Sequence, residues 1–356
     1  MENTFMKKKI IGLLAGFLFA FLLYAPVSFA AGGTIYVSLE RFTLGQGYLV
    51  EPETMTFKDG ETYEDIIKRL AKKHSLVLKD KYTENGYYLV GIKNADTGKL
   101  NIPKAVTEMA PSGEGASAVY PQTNDQNDGN DNLPDLEEFD YSSLSGWYYL
   151  VNGNNPVISM SGLKPHNGDV CRFMFTLFGL GQDVENPSLP NRDKATRIMA
   201  LLNSNRTITK AKGWESAYRN AIKVVSNLDS DQTAFNKVLS SLPSETTIKN
   251  AIQDEQNRNK YTPKQAVIKK VKAGKKKAKI VWKKQSGVTG YVLYMSKKPS
   301  KGYKKIKKIS ARKKPAFVKT SLKSKRKYYF KIRAYRKVGT KVYYGPYSSV
   351  KKVKIK

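Results

Sequence analysis

The spacing of hydrophobic positions changes along the chain. Between Thr34 and Thr176 apolar and polar residues mostly alternate, the period of a half-buried strand. Thr34–Glu40, Val50–Phe57, Gly86–Ile92, Trp147–Val151 and Val170–Thr176 all read as strands. One helical stretch interrupts them. Asp59-Gly60 makes a turn, Thr62 can cap a helix, and Glu64 and Asp65 suit its first turn. Ile66, Ile67, Leu70 and Ala71 then share one helical face. Strands with a single helix predict a small α+β domain over residues 31–178.

From residue 191 to 260 the period is helical. Ala195, Ile198, Met199, Leu201 and Leu202 form one stripe, and Trp214, Tyr218, Ile222 and Val225 another. Phe235, Val238, Leu239 and Leu242 follow, then Ile248 and Ile252. The links between stripes are short, which predicts a small antiparallel helical bundle. From Thr262 the strand period returns, in Ala266–Val271, Lys279–Trp282, Tyr291–Met295, Lys304–Ile309, Ala316–Ser321, Tyr328–Tyr335 and Val350–Ile355. So many short strands predict a β-sandwich over 262–356. In Tyr328–Tyr335, alternation turns Tyr328, Phe330, Ile332 and Ala334 inward and Tyr329, Lys331, Arg333 and Tyr335 outward. The fold class expected is therefore multidomain α+β.

Two stretches lack either period. Lys7, Lys8 and Lys9 precede an unbroken apolar run, Ile10–Tyr24, and a small-residue tail in which Ser28 and Ala30 fit a cleavage site before Ala31. That is the pattern of a secretory signal peptide over residues 1–30, and the run is short for a membrane span. It predicts a secreted protein, extracellular or loosely associated with the cell wall. The second stretch is a polar insertion, 94–140, rich in Gly, Asn, Asp, Ser and Pro at its centre and expected to be mobile. Within it, residues 124–135 resemble a calcium loop, with Gly129 sixth and Asp135 twelfth. Asn124, Gln126 and Asp135 depart from the preferred ligands at the first, third and last positions, so a solvated acidic loop is the plainer reading and no metal site is expected.

Charge changes the picture more than composition does. Lys and Arg number 62 against 30 Asp and Glu, a net charge of +32. Of these cations 35 lie between Lys260 and Lys356, where there is no acid at all. Lys275, Lys276, Lys277, Lys304, Lys305, Lys313, Lys314, Lys325, Arg326 and Lys327 cluster at predicted turns and strand edges. Edge lysines discourage sheet-to-sheet aggregation; they also attract polyanions. Tyr303, Tyr335, Tyr343, Tyr344 and Tyr347 are placed to line the same surface. An anionic cell-wall polymer or glycan is the expected partner. Export makes nucleic acid an unexpected one.

Catalytic motifs are missing. His74 and His166 have no metal-site partner at a recognisable spacing, and no nucleophile-elbow or phosphate-loop pattern occurs. The single cysteine, Cys171, alternates within a strand and reads as core. No enzymatic activity and no cofactor are expected.

Two regions resemble known families. Trp282, Gly290-Tyr291-Val292-Leu293-Tyr294, and Leu322 six residues before Tyr328 resemble a fibronectin type III module, in which Tyr328 would bury its ring and return its hydroxyl to the backbone. That family implies a spacer or binding module. The runs Thr56–Thr62, Ser145–Gly153 and Leu163–Val170 resemble a bacterial domain related to the C-terminal domain of transcobalamin and intrinsic factor. This implies a β-grasp-like fold over 31–178 and, in the vitamin carriers, contact with one face of a corrinoid. The much larger helical domain of those carriers has no counterpart here. Trp147, Tyr148 and Asn152 are the candidate ligand contacts; core packing is the plainer reading of Trp147, and Tyr148 and Asn152 are the better exposed candidates. The resulting expectation is a secreted, non-enzymatic binding protein held by its basic module, with a small-molecule, corrinoid-like binder as the alternative.

Overall fold

The computed structural model describes residues 32–108, 134–185 and 187–356. The signal peptide expected over 1–30 and most of the acidic loop 124–135 lie outside the described residues. The chain divides into two compact units, the first ending at Ile248 and the second beginning at Lys249. Together they hold several sheets and several helices, a mixed α and β multidomain architecture.

The first unit opens with β1 (Thr34–Glu40) and β2 (Tyr48–Thr56), an antiparallel pair. Helix α1 (Tyr63–His74) follows. Its start is fixed by Asp65, whose carboxylate accepts the Thr62 backbone N–H at 2.8 Å and the Thr62 hydroxyl at 3.1 Å. Such an N-terminal arrangement is worth about 1 kcal/mol. Ile66, Ile67, Leu70 and Ala71 are buried as their spacing predicts. Next come β3 (Leu78–Thr83), β4 (Gly86–Ile92), the short α2 (Lys104–Thr107), β5 (Leu136–Glu137), β6 (Gly146–Val151) and β7 (Val170–Thr176). One sheet runs β2-β1-β7-β6, and a second runs β3-β4-β5. In the first sheet the central strands β1 and β7 are parallel and both outer pairings are antiparallel.

Two features differ from expectation. Strand β3 carries almost no buried residue, so it has no apolar alternation to betray it. The insertion expected to be mobile is anchored at both described ends: Ala95, Val106 and Leu136 are core residues, and Leu136 pairs with Ile92. Single apolar residues among polar ones leave no period, yet each fills a place in the core.

Every residue of β7 is buried, so both faces of the first sheet are covered. On one face Cys171, Phe173 and Phe175 join Ile35, Val37, Leu39 and the apolar side of α1. The helical segment covers the other. It comprises α3 (Asp193–Ser204), α4 (Arg206–Ala211), α5 (Glu215–Val225) and α6 (Gln232–Ser241). Helix α3 packs on β1, β2 and β7 as well as on α4 and α5. Hydrogen bonds tie the layers: Ser204 Oγ accepts the Thr54 N–H at 2.8 Å, and Asn203 donates to the Pro52 carbonyl at 3.0 Å. The expected bundle thus has the sheet as one of its own layers.

Helix α7 (Glu245–Tyr261) leads into the second unit. Eight strands follow: β8 (Ile268–Gly274), β9 (Lys277–Trp282), β10 (Gly290–Ser296), β11 (Lys304–Ser310), β12 (Ala316–Lys319), β13 (Lys327–Val338), β14 (Lys341–Tyr344) and β15 (Lys351–Lys354). They form two sheets, β12-β9-β8 and β11-β10-β13-β14, with β15 pairing β13 as well. Trp282, Ile280, Tyr291, Leu293, Phe330 and Ile332 share one core between them. Strand β14 was not expected, because its residues are exposed or half-exposed. Tyr328, Phe330, Ile332 and Ala334 point inward as the alternation predicts. Tyr335 departs from its expected exposure and is buried. Lys308 lies 4.5 Å over its ring, and Tyr344 packs beside it. The absence of a side chain at Gly290 makes room, since a Cβ there would sit 2.8 Å from the Tyr335 hydroxyl.

Candidate functional site

The ten predicted cations of the second unit do not form one patch. Strand register decides where each lies. Lys277 begins β9 next to Ala278, which pairs with Lys319, whereas Ala316 pairs with Val281 at the far end of the same strand. Lys275, Lys276 and Lys277 therefore sit at one pole, and Lys313 and Lys314, just before Ala316, sit at the other, about 15 Å away along the strands. Backbone hydrogen bonds gather the first pole. The Lys276 carbonyl accepts the Leu322 N–H at 3.0 Å, and the Ile355 carbonyl accepts the Lys325 N–H at 2.9 Å. Lys325, Arg326 and Lys327 thus join Lys275–Lys277. Lys304 reaches the same pole along β11, paired with Met295 beside Ser296, which pairs in turn with Tyr329; Lys305 is one residue further along the edge.

A cleft of about 570 Å³ opens at this pole, lined by Lys297, Lys323, Lys325, Arg326, Lys327, Tyr328 and Tyr329. No Asp or Glu occurs in the chain beyond Glu255, so no acidic side chain of the two sheets offsets it. Lys297 and Lys323 are not among the predicted cations because each stands outside the densest lysine runs. Tyr328 organises the cleft floor. Its ring is buried and its hydroxyl accepts the Lys323 backbone N–H at 3.2 Å. Three non-glycine residues here have left-handed backbones: Lys276 at φ 51°, Ser321 at φ 60° and Lys325 at φ 59°. Such conformations cost about 1 kcal/mol or more each and tend to collect at functional sites.

A second basic feature lies on the outer face of the five-stranded sheet. Lys331 Nζ sits 3.9 Å from the centre of the Tyr347 ring and 4.4 Å from that of Tyr303. The Arg333 guanidinium lies 3.9 Å over Tyr344, and its Nη2 donates to the Tyr294 hydroxyl at 3.0 Å. Tyr303, Tyr344 and Tyr347 therefore line a surface with Lys331 and Arg333, cations outside the ten predicted ones. Tyr343 instead packs against Tyr261 at 5.5 Å.

In the first unit the three candidate contacts are engaged internally. Trp147 is half-buried, donates its ring N–H to the Leu136 carbonyl at 3.0 Å, and meets Phe175 edge-on at 5.5 Å. The Tyr148 ring lies so close over Gly181 that a Cβ there would be 2.4 Å from it. Asn152 is exposed as a residue, but its amide is satisfied: Oδ1 accepts the Val170 N–H at 3.0 Å and Nδ2 donates to Asp169 at 2.8 Å.

Among the described residues no group of three or more His, Cys, Asp or Glu is placed to hold a metal. His74 contacts Glu53 at 3.1 Å, and the imidazole of His166 lies 3.7 Å from Asp169. Cys171 is fully buried, and burial pushes its thiol well above the ordinary range, the opposite of a nucleophile's requirement. No described helix is long and apolar enough to cross a membrane.

Comparison with known proteins gives no matching family model and no matching curated protein. Among solved structures, similar ones include a β-1,2-glucanase from Parabacteroides distasonis, 15% identical over 26% of this chain and 12% of that one, with a TM-score of 0.23. A fibronectin type III domain of the human KIAA0970 protein is 14% identical over 25% of this chain and 72% of its own length, TM-score 0.22. The FN1-FN3 domains of chicken CNTN1 are 17% identical over 26% of this chain and 32% of theirs, TM-score 0.23. The chain thus spans about an eighth of the glucanase and about a third of the CNTN1 fragment.

Proposed function

We propose that the protein is a secreted, non-catalytic binding protein whose basic second unit holds it to an anionic polymer of the cell envelope. The cleft at the lysine pole carries this reading: Lys297, Lys323, Lys325, Arg326 and Lys327 converge on one concavity with no Asp or Glu side chain lining it. A solubilising lysine coat needs neither a concavity nor three left-handed residues around it. The strand order β12-β9-β8 against β11-β10-β13, with the Tyr328 hydroxyl returned to backbone, supports a fibronectin type III-like sandwich, a module suited to binding or spacing. The order β2-β1-β7-β6 with a parallel central pair and one packed helix supports a β-grasp-like first unit. Secretion rests on the Lys7–Ala30 pattern.

The test is co-sedimentation of the protein with purified bacterial cell walls, intact or stripped of all their anionic polymers, phosphate-based and uronate-based alike, over a salt series. Binding is expected to require the anionic polymer and to fall steeply with salt. Binding that is indifferent to both would sink the proposal.

A further inference from the structure

We infer that the outer face of the sheet β11-β10-β13-β14 is a binding site for sugar carboxylates, and that the polyanion taken by the second unit is a uronic-acid polysaccharide. This rests on the reading above and names the ligand class within it.

The lysine pole and the outer face are built differently. At the pole the cations are exposed, most of them at turns, and among the described residues no aromatic ring is recorded against them. On the outer face Lys331 is held between Tyr303 and Tyr347, and Arg333 is held against Tyr344 with one N–H on Tyr294. Tyr294 and Tyr347 brace each other edge-to-face at 5.2 Å. A cation fixed by aromatic rings loses little conformational freedom on binding, so it discriminates geometry as well as sign. Lys331 and Arg333 are two residues apart on one strand, which places them about 7 Å apart on the same face.

The chemistry of each component is specific. With Nη2 committed to Tyr294 by one hydrogen, the end of the Arg333 fork still offers N–H groups from both terminal nitrogens. That pair matches the two oxygens of a carboxylate. Tyr344 and Tyr347 are 41% and 37% exposed, large apolar surface for the outside of a sheet. The C–H face of a sugar ring covers such a phenol well; a bare phosphate chain has no apolar face to offer it. Charge complementarity selects the acidic member of that class, since β8–β15 contain no Asp or Glu.

The experiment is calorimetric titration of the whole protein with polygalacturonate oligomers, sodium polyphosphate, neutral dextran and a single-stranded oligonucleotide, at one ionic strength. Tyr344→Leu and Arg333→Lys are compared with a pole variant, Lys325→Ala/Arg326→Ala/Lys327→Ala, and circular dichroism checks folding of each. Polygalacturonate is expected to lose about tenfold in affinity with either face variant, while polyphosphate changes less than about twofold. Dextran should not bind. Equal losses for both polymers would overturn the inference, as would polygalacturonate binding weakened only by the pole variant. So would an oligonucleotide that outcompetes the uronate and is lost with Tyr344→Leu, because stacked bases would then be the natural fit. Polyphosphate binding without polygalacturonate binding overturns this inference and leaves the envelope-polyanion function standing; failure of both overturns that function too.

Discussion

Arg172 grips Glu40 across the parallel central strands of the first sheet, with Nη2 2.6 Å from Oε2 and Nε 3.0 Å from Oε1. The pair lies on the helix-covered face, its side chains 7% and 1% exposed, and Ser38 adds a hydroxyl to Glu40 at 2.6 Å. Burial alone would push the Arg172 guanidinium down; the charge and hydrogen bonds of Glu40 more than reverse that. A buried pair of this kind is costly to break and cheap to replace whole. Glu40→Gln is expected to destabilise the first unit by about 3–5 kcal/mol in urea unfolding. The double variant Glu40→Leu/Arg172→Met should recover most of that loss. A single variant as stable as the parent would show the pair contributes nothing to holding α3 against the sheet.

Asp183 gives the first unit a pH dependence. It is fully buried, and burial raises its pKa from 3.8 to about 6 despite hydrogen bonds from the Thr176 hydroxyl and the Leu177 N–H. The folded state therefore binds this proton more tightly than the unfolded chain. Stability from this group is greatest below pH 4 and falls as pH rises through about 6. The loss amounts to roughly 3 kcal/mol at about 1.4 kcal/mol per unit. Asp183→Asn lacks the titration, so its unfolding free energy relative to the parent should improve by that order between pH 4 and pH 7. A difference that stays constant over this range would refute the assignment.

Trp147 distinguishes packing from recognition. With its ring N–H on Leu136 and its edge on Phe175, Trp147→Ala should cost about 3 kcal/mol, as truncation of a core aromatic does. The intact protein should leave the absorbance spectrum of added cobalamin unchanged, since Tyr148 and the Asn152 amide are also occupied internally. A spectral change abolished by Trp147→Phe would restore the corrinoid reading.

Legibility in the sequence followed burial. Helix α1 was readable because its exposed face is charged and Ile66, Ile67 and Leu70 stand at helical spacing. Strands β1, β7 and β13 were readable from alternation or apolar density. Strands β3 and β14 were not, because neither buries a periodic face. The pole was half legible: lysine runs mark turns, but only register shows that Lys325 joins Lys276 while Lys313 lies opposite. The clamped pair Lys331 and Arg333 was visible as outward-facing cations, whereas the rings that hold them come from β10, β14 and flanking loops far away in sequence.

The hydroxyl of Tyr328 links the stability of the second unit to its cationic cleft. It holds the Lys323 N–H, and the turn from Lys323 to Lys327 supplies four cations lining that cleft. Tyr328→Phe keeps the buried ring and every charge but leaves this N–H without its partner. Loss of such a bond costs about 1–2 kcal/mol, so the unfolding transition of the second unit should shift to lower temperature and the Lys323 amide should exchange about tenfold faster. The informative measurement is polyphosphate affinity of the same variant well below its melting temperature. If the turn must be held for its cations to converge, affinity falls although no charge has been removed. If affinity is unchanged, the cations act through net charge alone, and the left-handed residues around the cleft are a cost of the turn rather than part of the site.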